Sequence, residues 1–288
     1  MRGFLHFACA ALGVATLVSG QESTVWGNYY NYWVKNGSTF DLTRGSAGRA
    51  IGIQTSSKGN STIVVDPAKS AMVIVDMQNF FLHPELAPGA DAGRATVAPT
   101  VETVLALREA GVKILWVQWG LTQWDILTMP PSFLYGFASN DLPNSTFGSD
   151  MGPIANGTEA GPLLMRGAWN AQAYGALWAL QQEGLAKGTD FFFNKNRLSG
   201  MAGRAETPLS IFLEDQSLTT LFFSGVNIDQ CVWGTLLDAY YRGYDVILVQ
   251  DMSATTSPEY ATQMVLYNGA GDGWITNSSD ILAGLAAV

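Results

Sequence analysis

The chain has 288 residues, 48% of them hydrophobic, with Lys+Arg 15 against Asp+Glu 24 and a formal charge of −9. That is the make-up of a globular protein large enough to bury a core without disulfides or a structural metal, and it excludes a disordered chain. The acidic balance argues against nucleic acid as a partner.

Residues 1–20 (MRGFLHFACAALGVATLVSG) carry Arg2, an apolar run from Phe4 to Val18 and a small-residue end, the pattern of a cleaved secretory signal peptide. The run is shorter than the ~20 residues a spanning helix needs. The expectation is therefore a secreted mature chain from about Gln21, without a membrane partner. Sequons at Asn36, Asn60, Asn144, Asn156 and Asn277 agree with a secreted glycoprotein.

Cleavage would remove His6 and Cys9 and leave His83 and Cys231 as the only residues of their kinds. No intramolecular disulfide, HExxH site, Cys/His cluster or multi-histidine metal site can be built from these, so neither a metal nor another cofactor is expected. A Ser-His-Asp triad would need His83, and no GxSxG elbow accompanies it. His83 itself reads as a turn histidine or a pocket residue. GxGxxG and GxxxxGK[ST] are absent as well.

Residues 21–67 are rich in Tyr, Trp, Asn, Ser and Gly, with strand-like pieces only around Ala50–Thr55 and Thr62–Val65. They read as an N-terminal arm laid on one domain that spans 68–288. Ala71-Met72-Val73-Ile74-Val75 is a continuous apolar run, as expected of a parallel strand buried on both faces, and it ends at Asp76. Val97, Val101, Val104 and Leu105 recur at helical spacing, Gly111 stops that helix, and Val112–Val117 reads as the next strand. Gly120–Gly161, with four prolines and two sequons, reads as a long excursion that forms a lid or pocket wall.

A helix over Ala171–Leu180 leads to strand Asp190–Phe193, and Thr207-Pro208 starts a short helix through Phe212. Strand Leu218–Phe223, a turn at Gly225–Gln230, a helix over Cys231–Arg242 and a fifth strand, Asp245–Val249, follow, and Ser257-Pro258-Glu259 opens a last helix. Strands alternating with helices imply an α/β fold with a mostly parallel, doubly wound sheet covered on both faces. Ligands in such folds bind beyond the carboxyl ends of the strands. Asp76, Lys195 and Cys231 all fall at that edge.

A lone cysteine in an oxidising compartment invites oxidation and needs a reason. At a helix N-terminus near the Lys195 ammonium its pKa would be lowered, which suits a nucleophile; the plainer reading is a buried structural thiol. Asp76 would exchange a proton with it, its plainer reading being a cap or turn residue. Lys195 alone would pass for a strand-end charge.

The segments Asp76-Met77-Gln78-Asn79-Phe80-Phe81, Lys195-Asn196-Arg197-Leu198-Ser199-Gly200-Met201 and Gly225-Val226-Asn227-Ile228-Asp229-Gln230-Cys231-Val232 resemble the three signature segments of the isochorismatase-like cysteine hydrolases. The stretch from Gly243-Tyr244-Asp245 to Asp251-Met252-Ser253-Ala254-Thr255 matches too, and the resemblance covers roughly 68–278. It implies a three-layer α/β/α sandwich, a homo-oligomer and a small-molecule substrate. It also implies Cys231 as nucleophile, Asp76 as general base then acid, and Lys195 as the charge that holds both. A non-proline cis peptide is implied at Val226-Asn227, with the Asn227 and Cys231 N–H groups facing an oxyanion. Gln78, Phe81 and Trp119 are the expected pocket residues.

Nicotinamidases of this family bind a metal through an aspartate and two histidines after the second strand. Here that stretch is Val117-Gln118-Trp119-Gly120-Leu121-Thr122, without histidine. The expected activity is thus metal-independent cleavage of a C–N bond in a small amide, imide or ureido compound through a thioester. Vinyl-ether cleavage of the isochorismate type, or a catalytically inactive binding protein, are the alternatives.

Overall fold

The computed structural model describes residues 23–46, 48–203 and 205–288, so the expected signal peptide at 1–20 lies outside the described residues. No described helix is long and apolar enough to cross a membrane.

The N-terminal arm contains more regular structure than its two strand-like pieces suggest. Strands β1 (Thr24–Gly27), β2 (Tyr32–Asn36), β3 (Thr39–Asp41), β4 (Ile51–Gln54) and β5 (Thr62–Val65) form a five-stranded sheet in the order β1-β2-β3-β5-β4. Among the strands of four or more residues, β4 and β5 bury every second residue, which is the period-2 signal a sequence can display. β1 is exposed along its whole length and has no such period. Two side chains tie this sheet to the body through the buried Asp245: Arg44 Nη1 lies 2.7 Å from Oδ2, and the Trp33 indole donates to Oδ1 at 2.7 Å. The edges of Trp33 and Phe40 meet the Trp274 ring at 4.9 and 5.7 Å.

The main sheet has six strands: β6 (Ser70–Val75), β7 (Lys113–Trp119), β8 (Asp190–Lys195), β9 (Thr220–Val226), β10 (Asp245–Ala254) and β11 (Trp274–Thr276). Their order is β11-β10-β9-β6-β7-β8, and every pairing is parallel. Alternate residues of the apolar strands feed two separate cores. Met72, Ile74, Trp116 and Phe222 face the helices Val97–Glu109, Ala176–Lys187 and Ser278–Ala286. Val73, Val75, Val117 and Phe223 face Pro208–Asp215, Trp233–Tyr241 and Glu259–Asp272. The result is the expected three-layer α/β/α sandwich.

Several boundaries differ from the sequence reading. β11 is a sixth strand of three residues, too short to carry a pattern. Ala171 closes a 3₁₀ turn, and the helix expected from there begins at Ala176, after Gly175 at φ 57°. The helix expected from Cys231 is a π-helical turn, Ile228–Val232, followed by the α-helix Trp233–Tyr241. Within the 120–161 excursion lie two short helices, Gln123–Leu127 and Pro131–Gly136.

From β6 the chain winds outward through β7 and β8, then crosses to β9 and continues to β10 and β11 on the other side. The carboxyl ends of β6 and β9 therefore mark the switch point, where ligands of such sheets bind. Their close approach there depends on Gly225, at φ 116°, where a Cβ would lie 2.0 Å from the Val75 carbonyl oxygen.

Candidate active site

Asp76 is the first residue beyond β6. Its backbone is left-handed (φ 51°), its N–H donates to the Val117 carbonyl at 3.0 Å, and its side chain is fully buried. A non-glycine residue in that region is strained, so the surroundings must hold it there. The Trp119 backbone N–H donates to Oδ1 at 3.1 Å, and the Lys195 ammonium lies 2.9 Å from Oδ2.

Lys195 ends β8 in register with Trp119 of β7. Its side chain is 1% exposed, and its ammonium also donates to the Arg197 carbonyl at 3.1 Å and sits 3.8 Å from the centroid of the Trp119 ring. A buried ammonium is costly unless paired, and here a carboxylate, a carbonyl and an aromatic face share that role.

Cys231 lies in the π-helical turn just beyond β9, 3% exposed, packed in the same core as Trp119 and Val75. A π turn is an uncommon element that recurs at functional sites. The Thr235 hydroxyl donates to the Cys231 carbonyl at 2.7 Å and accepts from the Gly200 N–H at 3.1 Å, joining this turn to the segment after Lys195. The Asp76 carboxyl and the Trp119 side chain both lie beside the thiol. Three residues from three distant segments thus meet at one point. The Val226-Asn227 peptide bond beside them is cis.

The expectation that a helix terminus and Lys195 would lower the Cys231 pKa is corrected by the structure. Burial pushes the thiol up to about 12, with Lys195 opposing and the Asp76 carboxylate reinforcing the rise. Desolvation of a thiolate outweighs a dipole at the end of a short turn. Burial also raises the Asp76 carboxyl above its ordinary value, against the Lys195 charge and hydrogen bonds from Lys195, Cys231 and Trp119. The thiol therefore keeps its proton at neutral pH, with the Asp76 carboxyl beside it as the group placed to accept it.

The expected pocket residues fare differently. Gln78 is fully buried, and its amide donates to the Trp119 and Ala171 carbonyls at 2.8 and 2.7 Å while accepting from the Trp119 N–H at 3.0 Å. It clasps the end of β7, a role that an isolated Gln in a sequence does not announce. Phe81 is half-buried between the two cores, edge-on to Phe80. Trp119 is fully buried against the triad, and it also lies in the wall of a cavity of about 260 Å³ shared with Gln118, Gly120, Arg166 and Asn194. Its outer side is covered by Phe137 and Phe147 from the excursion, with centroids at 5.4 and 5.1 Å. Neither phenylalanine stands in a periodic segment, so only the placement of a lid over 120–161 pointed toward them. A second cavity of about 260 Å³ reaches Lys195 and is lined by polar groups that include Asp125, Arg166, Asn194 and Asn196.

His83 sits in a turn, its Nδ1 accepting from the Glu85 N–H at 3.4 Å and its ring edge-on to Trp169. Of the sequon asparagines, Asn36, Asn60, Asn144 and Asn156 are exposed. Asn277 is half-buried at the cap of the last helix, beside a Ser278 whose N–H donates to Asp251 at 2.8 Å. Among the described residues no group of three or more His, Cys, Asp or Glu side chains could hold a metal ion. Where nicotinamidases carry metal ligands, Gln118, Trp119 and Gly120 offer an amide, a buried indole and no side chain, which does not fit a metal of that kind.

Similar folds occur in solved structures. A cysteine hydrolase from Pseudomonas syringae pv. phaseolicola 1448A superposes with a TM-score of 0.60 at 18% identity, covering 77% of this chain and 94% of its own. A nicotinamidase from Bacillus subtilis gives 0.54 at 22%, covering 71% and 98%. An N-carbamoylsarcosine amidase from Thermoplasma acidophilum gives 0.50 at 23%, covering 73% and 96%. Residues 70–276, which run from the start of β6 to the end of β11, match the Isochorismatase domain. The chain belongs to the isochorismatase family.

Proposed function

We propose that the protein is a metal-independent hydrolase that cleaves a C–N bond of a small amide, imide or ureido compound through a thioester on Cys231. The observation that carries this reading is the buried contact of Asp76, Lys195 and the Cys231 thiol at the switch point of the sheet. Asp76 takes the thiol proton, and the sulfur attacks the substrate carbonyl carbon. The oxyanion faces the Asn227 and Cys231 N–H groups, as the family resemblance implies. The C–N bond then breaks as Asp76 passes the proton to the leaving nitrogen, which leaves a thioester. Water attacks that thioester, Asp76 accepts the water proton, and the departing sulfur takes it back. Lys195 keeps the charge balanced in each state, and the polar cavity beside it suits an amide or ureido group. The same reading takes the chain as secreted and glycosylated, on the strength of residues 1–20 and the four exposed sequons, and as a homo-oligomer, as the family resemblance implies.

A second reading is favoured by one observation, the raised proton affinity of Asp76. A carboxyl held above its ordinary range is a usable acid, and protonation of a vinyl ether by Asp76 would need no thioester. Activity of Cys231→Ala separates the two. With small amides and ureido compounds the thioester route predicts complete loss in that variant. Isochorismate-type cleavage predicts that the variant keeps most of the activity while Asp76→Asn loses it.

A further inference from the structure

Trp119 touches every member of the triad by a different part of itself. Its backbone N–H donates to Asp76 Oδ1 at 3.1 Å, its ring face lies 3.8 Å from the Lys195 ammonium, and its side chain packs beside Cys231 in the same core. The residue is fully buried, and Phe137 and Phe147 fix the ring from its outer side. Yet the indole nitrogen has no hydrogen-bond acceptor within ordinary geometry among the described residues. A buried donor left without an acceptor is costly, and native proteins retain few of them. A neutral thiol is a poor acceptor and does not relieve it, whereas a thiolate is a strong one.

We propose that Trp119 is a fourth catalytic residue, whose indole N–H is held without a good acceptor in the resting enzyme and donates to the Cys231 sulfur when it carries charge. The sulfur is charged twice in the cycle. It is charged first when the S–H bond breaks and the proton passes to Asp76, and again when the C–S bond of the thioester breaks and the electron pair returns to sulfur. Nothing is transferred to or from the indole; it is a preorganised dipole aimed at a charge that develops. The hydrogen bond also opposes the effect of burial on the thiol, in the direction the chemistry requires. Phenylalanine would fill the same space and face Lys195 equally, so the N–H is what the larger side chain adds.

This inference rests on the thioester reading, and its test is separable from it. The rate of Cys231 alkylation by iodoacetamide is measured against pH in the full chain, in Trp119→Phe and in Cys231→Ala as the blank. The donor role predicts that Trp119→Phe reacts about tenfold more slowly at neutral pH, the effect of one charge-assisted hydrogen bond. The smaller ring opens access to the sulfur and would by itself speed the reaction. Equal or faster alkylation in the variant overturns the donor role while leaving the thioester route intact. A wild-type thiol that never reacts overturns both. A measurement on the unmutated protein guards against a variant that fails to fold: in ¹⁵N-tryptophan-labelled protein, one indole resonance absent from its place in Cys231→Ala should move downfield when sulfur is charged. An indole spectrum unchanged between the two proteins across the pH range would contradict the proposal.

Discussion

Replacing Lys195 by methionine keeps the length of the side chain and removes the charge that lies 2.9 Å from Asp76 Oδ2. Both partners are essentially inaccessible, so solvent cannot substitute for the ammonium. Breaking a buried pair in this way costs about 3–5 kcal/mol, because the remaining charge has no compensation. For a domain of this size that is a fall in Tm of ~10 °C. The loss has a definite pH dependence. Burial already raises the Asp76 carboxyl, and the Lys195 charge is the largest influence holding it down. In Lys195→Met the folded-state pKa rises further above the unfolded value of about 3.9. The folded variant therefore binds a proton the unfolded chain releases, and its stability falls by about 1.4 kcal/mol per pH unit between those two pKa values. Thermal unfolding followed by circular dichroism should show the variant's deficit small near pH 4 to 5 and large near pH 8. Lys195→Met combined with Asp76→Asn should recover most of it and lose the pH dependence. A deficit equal at both pH values, or one that the second substitution leaves unchanged, would refute the assignment of a buried ion pair.

Gly225→Ala should destabilise by about 3 kcal/mol or more, seen as a fall in Tm, since a side chain is strained at that φ and its Cβ would meet the Val75 carbonyl. Arg44→Ala leaves the buried Asp245 carboxylate without its ion-pair partner, so limited trypsin digestion should cut the N-terminal sheet before the six-stranded domain, whereas the wild type should be cut at both or neither. Activity against pH should have an acid limb with its midpoint above the ordinary carboxyl value of 3.8, rising as pH increases because Asp76 must be ionised to take the thiol proton. Disappearance of that limb in Asp76→Asn, with at least a hundredfold loss of kcat, is the accompanying expectation.

The parts of the fold that follow from long apolar runs were legible from the residues. β6 and β9 are buried on both faces, and a buried parallel strand reads as an unbroken apolar stretch. Because Asp76 and Cys231 follow such strands and Lys195 closes the Phe191-Phe192-Phe193 strand, their common edge could be seen from the residues alone. What stayed hidden is what tertiary contact decides. β1 is exposed on both faces and β11 has three residues, so neither carries a period. The turn at Ile228–Val232 resembles an ordinary helix start, since the π hydrogen bonding comes from packing rather than composition. The direction of the Cys231 pKa could not be read either, because a sequence shows proximity to a helix terminus and not the depth of burial that overrides it. Trp119 was visible as a chemical type at the end of a strand, but its three contacts arise from the register of β7 with β8 and the fold of the chain at Asp76.

The central claim, a covalent intermediate on sulfur, is tested most directly by intact-mass and peptide-mapping analysis of acid-quenched protein after brief exposure to a panel of small amides, imides and ureido compounds. The account predicts an acyl adduct on the peptide that carries Cys231, present in wild type, absent in Cys231→Ala, and turning over with time. Turnover of a panel compound with no adduct at any quench time, and at an undiminished rate in Cys231→Ala, would contradict it.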